Sequence, residues 1–340
     1  MLKLFRTKIW WNALVPQVLG WIYFCGLYNG PEAAQMFVFD RDMIELIAYF
    51  ISLISISAFG YLLNDWCDVK TDAISGKENR LSKLTPTVQA LVVIIPLVLG
   101  CLAWRQGISP ATFLFAVQIL ALSLYSLRPV RLKNRAGWGV AADAFYGHIN
   151  PTFITLFAFG FFANAVDWHT LLTGSIIFVA VSLKGIRNIL LHQIDDRKKD
   201  KLGGIQTFVV KNGALFSLLL VNNLLMFEVI FTVLLSLIIS MAFPPFFICI
   251  LVFSIVTYLK FSGWKLAYIP QRQLKFKFLY FLNDYYEDWV PVFFLLLLAV
   301  RQPEFLFLLL LHLILFPSFL IKLRTDLRTI QQNLKTEDDY

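Results

Sequence analysis

Charge is what this sequence has least of. Only 15% of its 340 residues are Asp, Glu, Lys or Arg, whereas an ordinary globular domain carries about a quarter. The deficit excludes a soluble globule and a disordered chain as first readings. Cysteine is scarce too: Cys25, Cys67, Cys101 and Cys249 are scattered, three of them inside apolar runs, which excludes a disulfide framework and predicts free thiols. Acidic residues are almost missing from the middle of the apolar stretches, where Glu228 stands nearly alone. What is abundant is apolar surface: 58% of residues are hydrophobic and 33 are Phe, and the mean hydropathy is +0.68.

A helix needs roughly twenty apolar residues to cross the hydrocarbon layer. On that ruler about ten segments qualify: 10–29, 43–63, 88–104, 109–127, 138–164, 170–192, 213–239, 243–260, 281–300 and 303–323. The first is followed by many like it and is expected to stay rather than be cleaved. The ninth carries Asp284, Glu287 and Asp288 in its first half, so it is an interfacial helix running into a tilted span or a re-entrant piece. The net charge of +8 looks like a nucleic-acid signal until the basic residues are placed. All but Arg41, Arg105 and Arg301 fall on one side of this parse. That side is the cytoplasm, and both termini lie there. The expectation is an all-α integral membrane protein of the cell membrane, one domain over 1–340. Its bundle has about nine to ten transmembrane helices around a central cavity, in two related halves, with an atypical part over 260–340. The lipid bilayer is a partner; no nucleic acid and no protein partner is expected.

The acids that exist are concentrated at helix ends. After segment two the chain reads Asn64-Asp65-Trp66-Cys67-Asp68-Val69-Lys70-Thr71-Asp72. In a helix Asp65, Asp68 and Asp72 share one face. Like charges so close call for a cation, and hard oxygen ligands of this kind suit Mg²⁺, with water and phosphate completing its shell. Cys67 is a bystander, because a thiolate suits Mg²⁺ poorly. At the end of segment six, within 192–204, Asp196 and Asp200 repeat the spacing; shifted by 128, Asp68, Asp72 and Gly76 meet Asp196, Asp200 and Gly204. Two acidic clusters on one side of an apolar protein suit a diphosphate bridged by Mg²⁺, with cationic side chains balancing the rest. Lys77, Arg80, Arg128, Arg131, Lys133, Arg135, Lys184 and Arg187 are candidate cations, and Lys184 and Arg187 are the most telling because they lie within a span. Arg128 to Arg135 alone reads more simply as a topological signal, and His148 as a packed residue. A single acidic pair would read as a solvated helix end.

These residues resemble the UbiA-type intramembrane prenyltransferases. Asn64-Asp65-x-x-Asp68-x-x-x-Asp72 is similar to that family's first motif, Asp196-x-x-x-Asp200 to its second, and Tyr125-Ser126-Leu127-Arg128-Pro129-Val130-Arg131-Leu132-Lys133 to the turn between them. The likeness covers roughly residues 6–240. It implies a Mg²⁺-dependent transfer of a prenyl or polyprenyl group from an isoprenyl diphosphate donor to a small, usually aromatic acceptor. Asn64, Asp68, Asp72, Asp196 and Asp200 would hold metal and diphosphate, and Asp65 would support them. Lys133 would neutralise the leaving group, and Tyr125 and Ser126 would face the donor's reactive carbon. Phosphoribosyl-type transfer to a lipid phosphate and terpene cyclisation use related chemistry, and a transporter is the reading from another class. Two departures stand out: Arg80 is followed by Leu81 where the family often has Pro, and ten candidate segments exceed the family's nine. The aromatic-acidic stretch 281–289 either contributes Asp284 and Asp288 to the acceptor site, with Arg6 and Trp10-Trp11 near segment one, or is an interfacial belt.

Overall fold

The computed structural model describes residues 11, 14–29, 41–163, 167–262 and 278–337. Arg6 and Trp10 lie outside the described residues. Long apolar runs with no water to satisfy their backbone leave helix as the economical conformation. The described chain is helical throughout, apart from one isolated bridge between Ala136 and Thr207. The elements are α1 (Leu14–Tyr28), α2 (Arg41–Ser75), α3 (Pro86–Ala103), α4 (Pro110–Ser126), α5 (Ala136–Ala144), α6 (Asn150–Ala158), α7 (Trp168–Leu202), α8 (Phe208–Asn212) and α9 (Ala214–Ala242). Then follow α10 (Phe246–Ser262), α11 (Phe281–Asp284), α12 (Val290–Arg301), α13 (Phe305–Leu315) and α14 (Ser318–Glu337). All four cysteines are unpaired.

Among the described residues four helices are long and apolar enough to cross a membrane, namely α2, α3, α7 and α9, or five if α13 and α14 form one bent span. This is fewer than the ten expected segments, although the described part of each is mainly helical. Three of them, in α1, α4 and α10, have fewer than 18 residues. Two are interrupted by π turns, Phe145–Ile149 between α5 and α6 and Tyr285–Trp289 between α11 and α12. Each π turn is followed by a proline at the second position, Pro151 and Pro291. A proline ring clashes with the carbonyl four residues earlier, and a widened turn relieves the clash. The last segment bends by 72° between α13 and α14.

The core has two parts. One packs α2, α3 and α4 around Ile56, Phe59, Leu62 and Phe115, reaching Ile22 of α1. The other packs α7, α9, α10, α12 and α13 around Val181, Leu190, Val221, Cys249, Phe294 and Leu295, again with α1. α1 is the shared post, and Gly20 lets it approach α12, where an added Cβ would lie 3.1 Å from Pro291. The outward faces of α3 and α9 are left apolar: Leu91, Ile94, Leu215, Leu219 and Met226 are all about half exposed or more. Bilayer, not water, hides such a surface.

At 1.5 Å per residue, the 35 residues of α2 and of α7 make helices about 50 Å long, well beyond the ~30 Å of hydrocarbon. Their surplus C-terminal turns carry the two acidic motifs. Both protruding ends are closed by glycines at positive φ, Gly76 at 68° and Gly204 at 69°.

Candidate active site

The first motif is buried by the connection that follows α4. Asp65, Asp68 and Asp72 are exposed by 5%, 2% and 6%. Asp68 Oδ1 accepts from Arg131 Nη2 at 2.6 Å, and Asp68 Oδ2 accepts from Lys133 Nζ. The same Lys133 ammonium reaches Asn64 Oδ1 at 3.3 Å. Arg131 adopts φ 36°, a left-handed conformation that costs a residue with a Cβ of order 1 kcal/mol or more. The ion pair with Asp68 holds it there, so this strained turn packs against the first motif. Asp72 takes a different partner: Asn79 Nδ2 donates to its Oδ2 at 2.8 Å and to the Asp65 carbonyl at 2.7 Å. Asn79 Oδ1 in turn accepts from the Leu81 amide, capping the short turn Arg80–Lys83. Asn79 was not singled out from sequence; its position just before that turn is the signal, since Asn favours such caps.

The second motif is more open. Asp196 is 27% exposed and Asp200 only 6% at the side chain. Lys77, just past the end of α2, bridges them, with Nζ 2.8 Å from Asp196 and 3.0 Å from Asp200. Burial alone would lower the Lys77 ammonium, but its hydrogen bonds with the two carboxylates outweigh that and hold it above its usual value. The helix ends touch directly, since a Cβ at Gly203 would lie 3.4 Å from the Thr71 carbonyl. The Ala136 amide donates to the Gln206 carbonyl at 3.3 Å, tying the Lys133 loop to the loop after the second motif. Asn64, Asp65, Asp68, Asp72, Lys77, Lys133, Asp196 and Asp200 are thus brought to one place, with Arg131 and Asn79 added.

Tyr125 and buried Ser126 end α4 beside this cluster. The Tyr125 ring meets the edge of Tyr146 at 5.1 Å. Asp143, Asp68 and Asp200 all act on Tyr125 electrostatically. Beyond Tyr146 a small, partly open pocket of about 70 Å³ lies among α1, α2, α4 and α6 and is lined by Gln17, Phe50, Ile54, Gln118, His148 and Pro151, among others.

Three expectations need correction. Arg80 is exposed on its turn and is not drawn into the cluster. Lys184 and Arg187 are fully buried but committed elsewhere. Lys184 Nζ binds Glu287 at 2.8 Å and Gln17 at 2.6 Å. Arg187 forks onto Glu228 at 2.5 and 2.8 Å and also reaches the Leu279 carbonyl and Asn283. The cause is the acidic residues in α9 and the π turn of 285–289, which match these cations inside the bundle. Asp284 and Asp288 meet Lys322 of α14 at 2.7 and 2.6 Å, and Asp288 also accepts from Ser318. Nor is this stretch an interfacial belt, because Tyr285 and Tyr286 are buried and bonded to Ser236 and Thr232.

An all-helical membrane bundle with a charge-balanced acidic chamber at the ends of two long helices defines a class of membrane enzyme. The model of the UbiA prenyltransferase family matches residues 33–283, and this chain belongs to that family. The family is one of enzymes, which sets the transporter reading aside. Solved structures agree on the fold. A UbiA homolog from Archaeoglobus fulgidus bound to DMAPP and Mg²⁺ is 18% identical with a TM-score of 0.54, covering 85% of this chain and 98% of that one. The same homolog bound to GPP and Mg²⁺ is 17% identical with the same TM-score and the same coverage. A digeranylgeranylglyceryl phosphate synthase structure is 18% identical with a TM-score of 0.50, covering 85% and 97%. No curated protein sequence matches this chain.

Proposed function

We propose that this protein transfers a prenyl or polyprenyl group from its diphosphate to a small aromatic acceptor, with Mg²⁺, at the cytoplasmic face of the membrane. The observation that carries the reading is the meeting of two acidic helix ends across one lysine, Lys77 between Asp196 and Asp200, beside Asp68 under Arg131 and Lys133. Bringing anions and cations into one chamber suits a ligand that is itself anionic and arrives with a metal. The relatives bound to DMAPP or GPP with Mg²⁺ support the same donor chemistry.

The oxygen donors fit Mg²⁺: Asn64, Asp68, Asp72, Asp196 and Asp200 would hold it, with Asp65 in support. Among the described residues no three acidic, His or Cys side chains are gathered closely enough to hold a metal alone. That fits an ion whose shell is completed by diphosphate and water, as Mg²⁺ prefers. When bound, Mg²⁺ supplies Lewis-acid stabilisation of the charge developing on the leaving diphosphate. The chain's own part is positional and electrostatic. Lys77, Arg131 and Lys133 turn from carboxylates to phosphate oxygens, Asn79 fixes Asp72, and Tyr125 with Tyr146 presents aromatic faces to the cationic carbon.

The one-sided basic residues, with the π-interrupted pairs read as single crossings, support a topology with both termini in the cytoplasm. Binding of geranylgeranyl diphosphate to the purified chain, with and without Mg²⁺, tests it. Metal-dependent binding that Asp68→Ala combined with Asp196→Ala abolishes is expected. Binding indifferent to metal and to both aspartates overturns the reading.

A further inference from the structure

Asp143 has no role in the diphosphate site, yet it borders the same chamber. It lies on α5, two residues before the π turn, and the Tyr146 hydroxyl donates to its Oδ2. Asp143 feels Lys133 and His192 electrostatically and acts in turn on Tyr125, as do Asp68 and Asp200. Like Asp72, whose side-chain partner is Asn79, it is not paired with a cation. Asp68, Asp196, Asp200, Glu228, Glu287, Asp284 and Asp288 each meet a lysine or arginine. Among the described residues no cation comes within ion-pair distance of Asp143; it has a phenol instead.

The geometry also gives a route to it. Tyr146, Gly147 and His148 line the partly open pocket of about 70 Å³. The nearest neighbour a Cβ on Gly147 would meet is Asp143 Oδ1, at 4.0 Å, so the absence of a side chain there leaves that oxygen uncovered from the Gly147 side. Tyr146 holds the other oxygen and offers a ring face next to Tyr125.

We infer that Asp143, oriented by Tyr146, accepts the proton that an aromatic acceptor seated against Tyr146 and Gly147 gives up on prenylation. The inference rests on the prenyl transfer proposed above. The donor C–O bond breaks and the diphosphate leaves with the electron pair. A ring carbon of the acceptor forms the new C–C bond with its π electrons. The C–H bond at that carbon then breaks, its electrons restore the ring, and the proton passes to Asp143 Oδ1. No oxidant or reductant is needed.

The test uses the full chain in nanodiscs with Mg²⁺, geranylgeranyl diphosphate and three ring acceptors, 4-hydroxybenzoate, homogentisate and 1,4-dihydroxy-2-naphthoate, beside geranylgeranylglyceryl phosphate as an alcohol. Asp143→Asn is expected to bind the donor within about threefold of the native chain and to transfer to a ring about 10²–10⁴-fold more slowly, the usual worth of a general base. A ring-deuterated acceptor is expected to show a larger isotope effect in Asp143→Asn than in the native chain, which a merely structural lesion would not produce. Asp143→Glu should recover part of the rate. If Asp143→Asn loses donor binding, Tyr146→Phe carries the test, with transfer about tenfold slower at unchanged donor affinity, the worth of one hydrogen bond. Native rates in both variants overturn the inference, as does a native chain that prenylates the alcohol and none of the rings. A native chain that fails to bind the donor at all marks instead the failure of the diphosphate site, and the two failures are thereby told apart.

Discussion

At the end of α2 the Lys77 amide closes on the Asp72 carbonyl at 2.9 Å past left-handed Gly76, and at the end of α7 the Ile205 amide closes on the Asp200 carbonyl at 2.9 Å past left-handed Gly204. These are the same bond of the same C-terminal cap, from the residue after the glycine back to the third-last helical position. The surroundings differ. The first motif is buried and held from three directions by Arg131, Lys133 and Asn79, whereas the second is partly open and depends on a single lysine lent by the first. One end is a fixed wall and the other is adjustable.

Breaking the fixed wall should do the most damage. Asp68→Ala leaves both Arg131 and Lys133 without their partner in a buried place, a loss of about 3–5 kcal/mol by the usual cost of an orphaned buried charge. Thermal unfolding of the purified chain should register it, together with a fall in prenyl transfer of at least 10²–10³-fold. Asp196→Ala removes a partly exposed carboxylate and should alter stability by less than about 1 kcal/mol while still weakening metal-dependent donor binding. Equal stability losses in the two variants would erase the contrast between the ends.

The buried pair Arg187–Glu228 provides the next test, because it decides whether α7's internal cations serve the chamber or the scaffold. Arg187→Met alone should cost about 3–5 kcal/mol, and Arg187→Met with Glu228→Met should recover most of it, since an apolar pair of similar volume replaces a buried ion pair at little cost. Donor affinity restored along with stability in the double variant assigns the pair to the scaffold. Affinity that stays lost would return Arg187 to the diphosphate site.

Lys77 sharpens the comparison more gently. Its folded value is raised above 10.5, so the stability it contributes is fully present below its unfolded value and is lost only as pH rises through the higher folded value. Between about pH 6 and 9 it stays charged. Lys77→Met should therefore lower donor affinity about tenfold, one charged contact's worth, by the same factor at pH 6.5 and pH 8.5. Calorimetric titration at both values checks this, and a factor that changes with pH would point to a different titrating group.

What sequence reasoning reached and missed follows from the physics of each position. The helical segments and the acidic motifs at helix ends were legible because they depend on hydrophobic length and on helical spacing, which are local. The depletion of charge fixed the membrane setting. Partner choice was not legible: Lys184 and Arg187 lie one to three turns before the second motif, and nothing local says that Glu287 and Glu228 arrive from positions 103 and 41 residues away to claim them. Asp143 was passed over for the opposite reason, since a lone acid in an apolar helix has no motif around it. The π turns were hidden as well, although the prolines at 151 and 291 were the clue in plain view.

The smallest expected effect bears most directly on the likeness of the two ends. Nothing lies within 4 Å of a Cβ built at either Gly76 or Gly204, so alanine at these positions meets no clash and the cost is conformational alone. A left-handed residue with a Cβ is disfavoured by roughly 1–2 kcal/mol, and φ is 68° at one site and 69° at the other. Gly76→Ala and Gly204→Ala should thus lower stability by nearly equal amounts, a match readable as equal shifts in unfolding midpoint. Function should separate what stability does not. Gly76→Ala loosens the turn that carries Lys77 and so disturbs the bridge to Asp196 and Asp200, whereas Gly204→Ala leaves that lysine anchored. A larger loss of donor affinity in Gly76→Ala at matched stability would mean that the two caps share a geometry but that only the first also holds a ligand-binding cation in place.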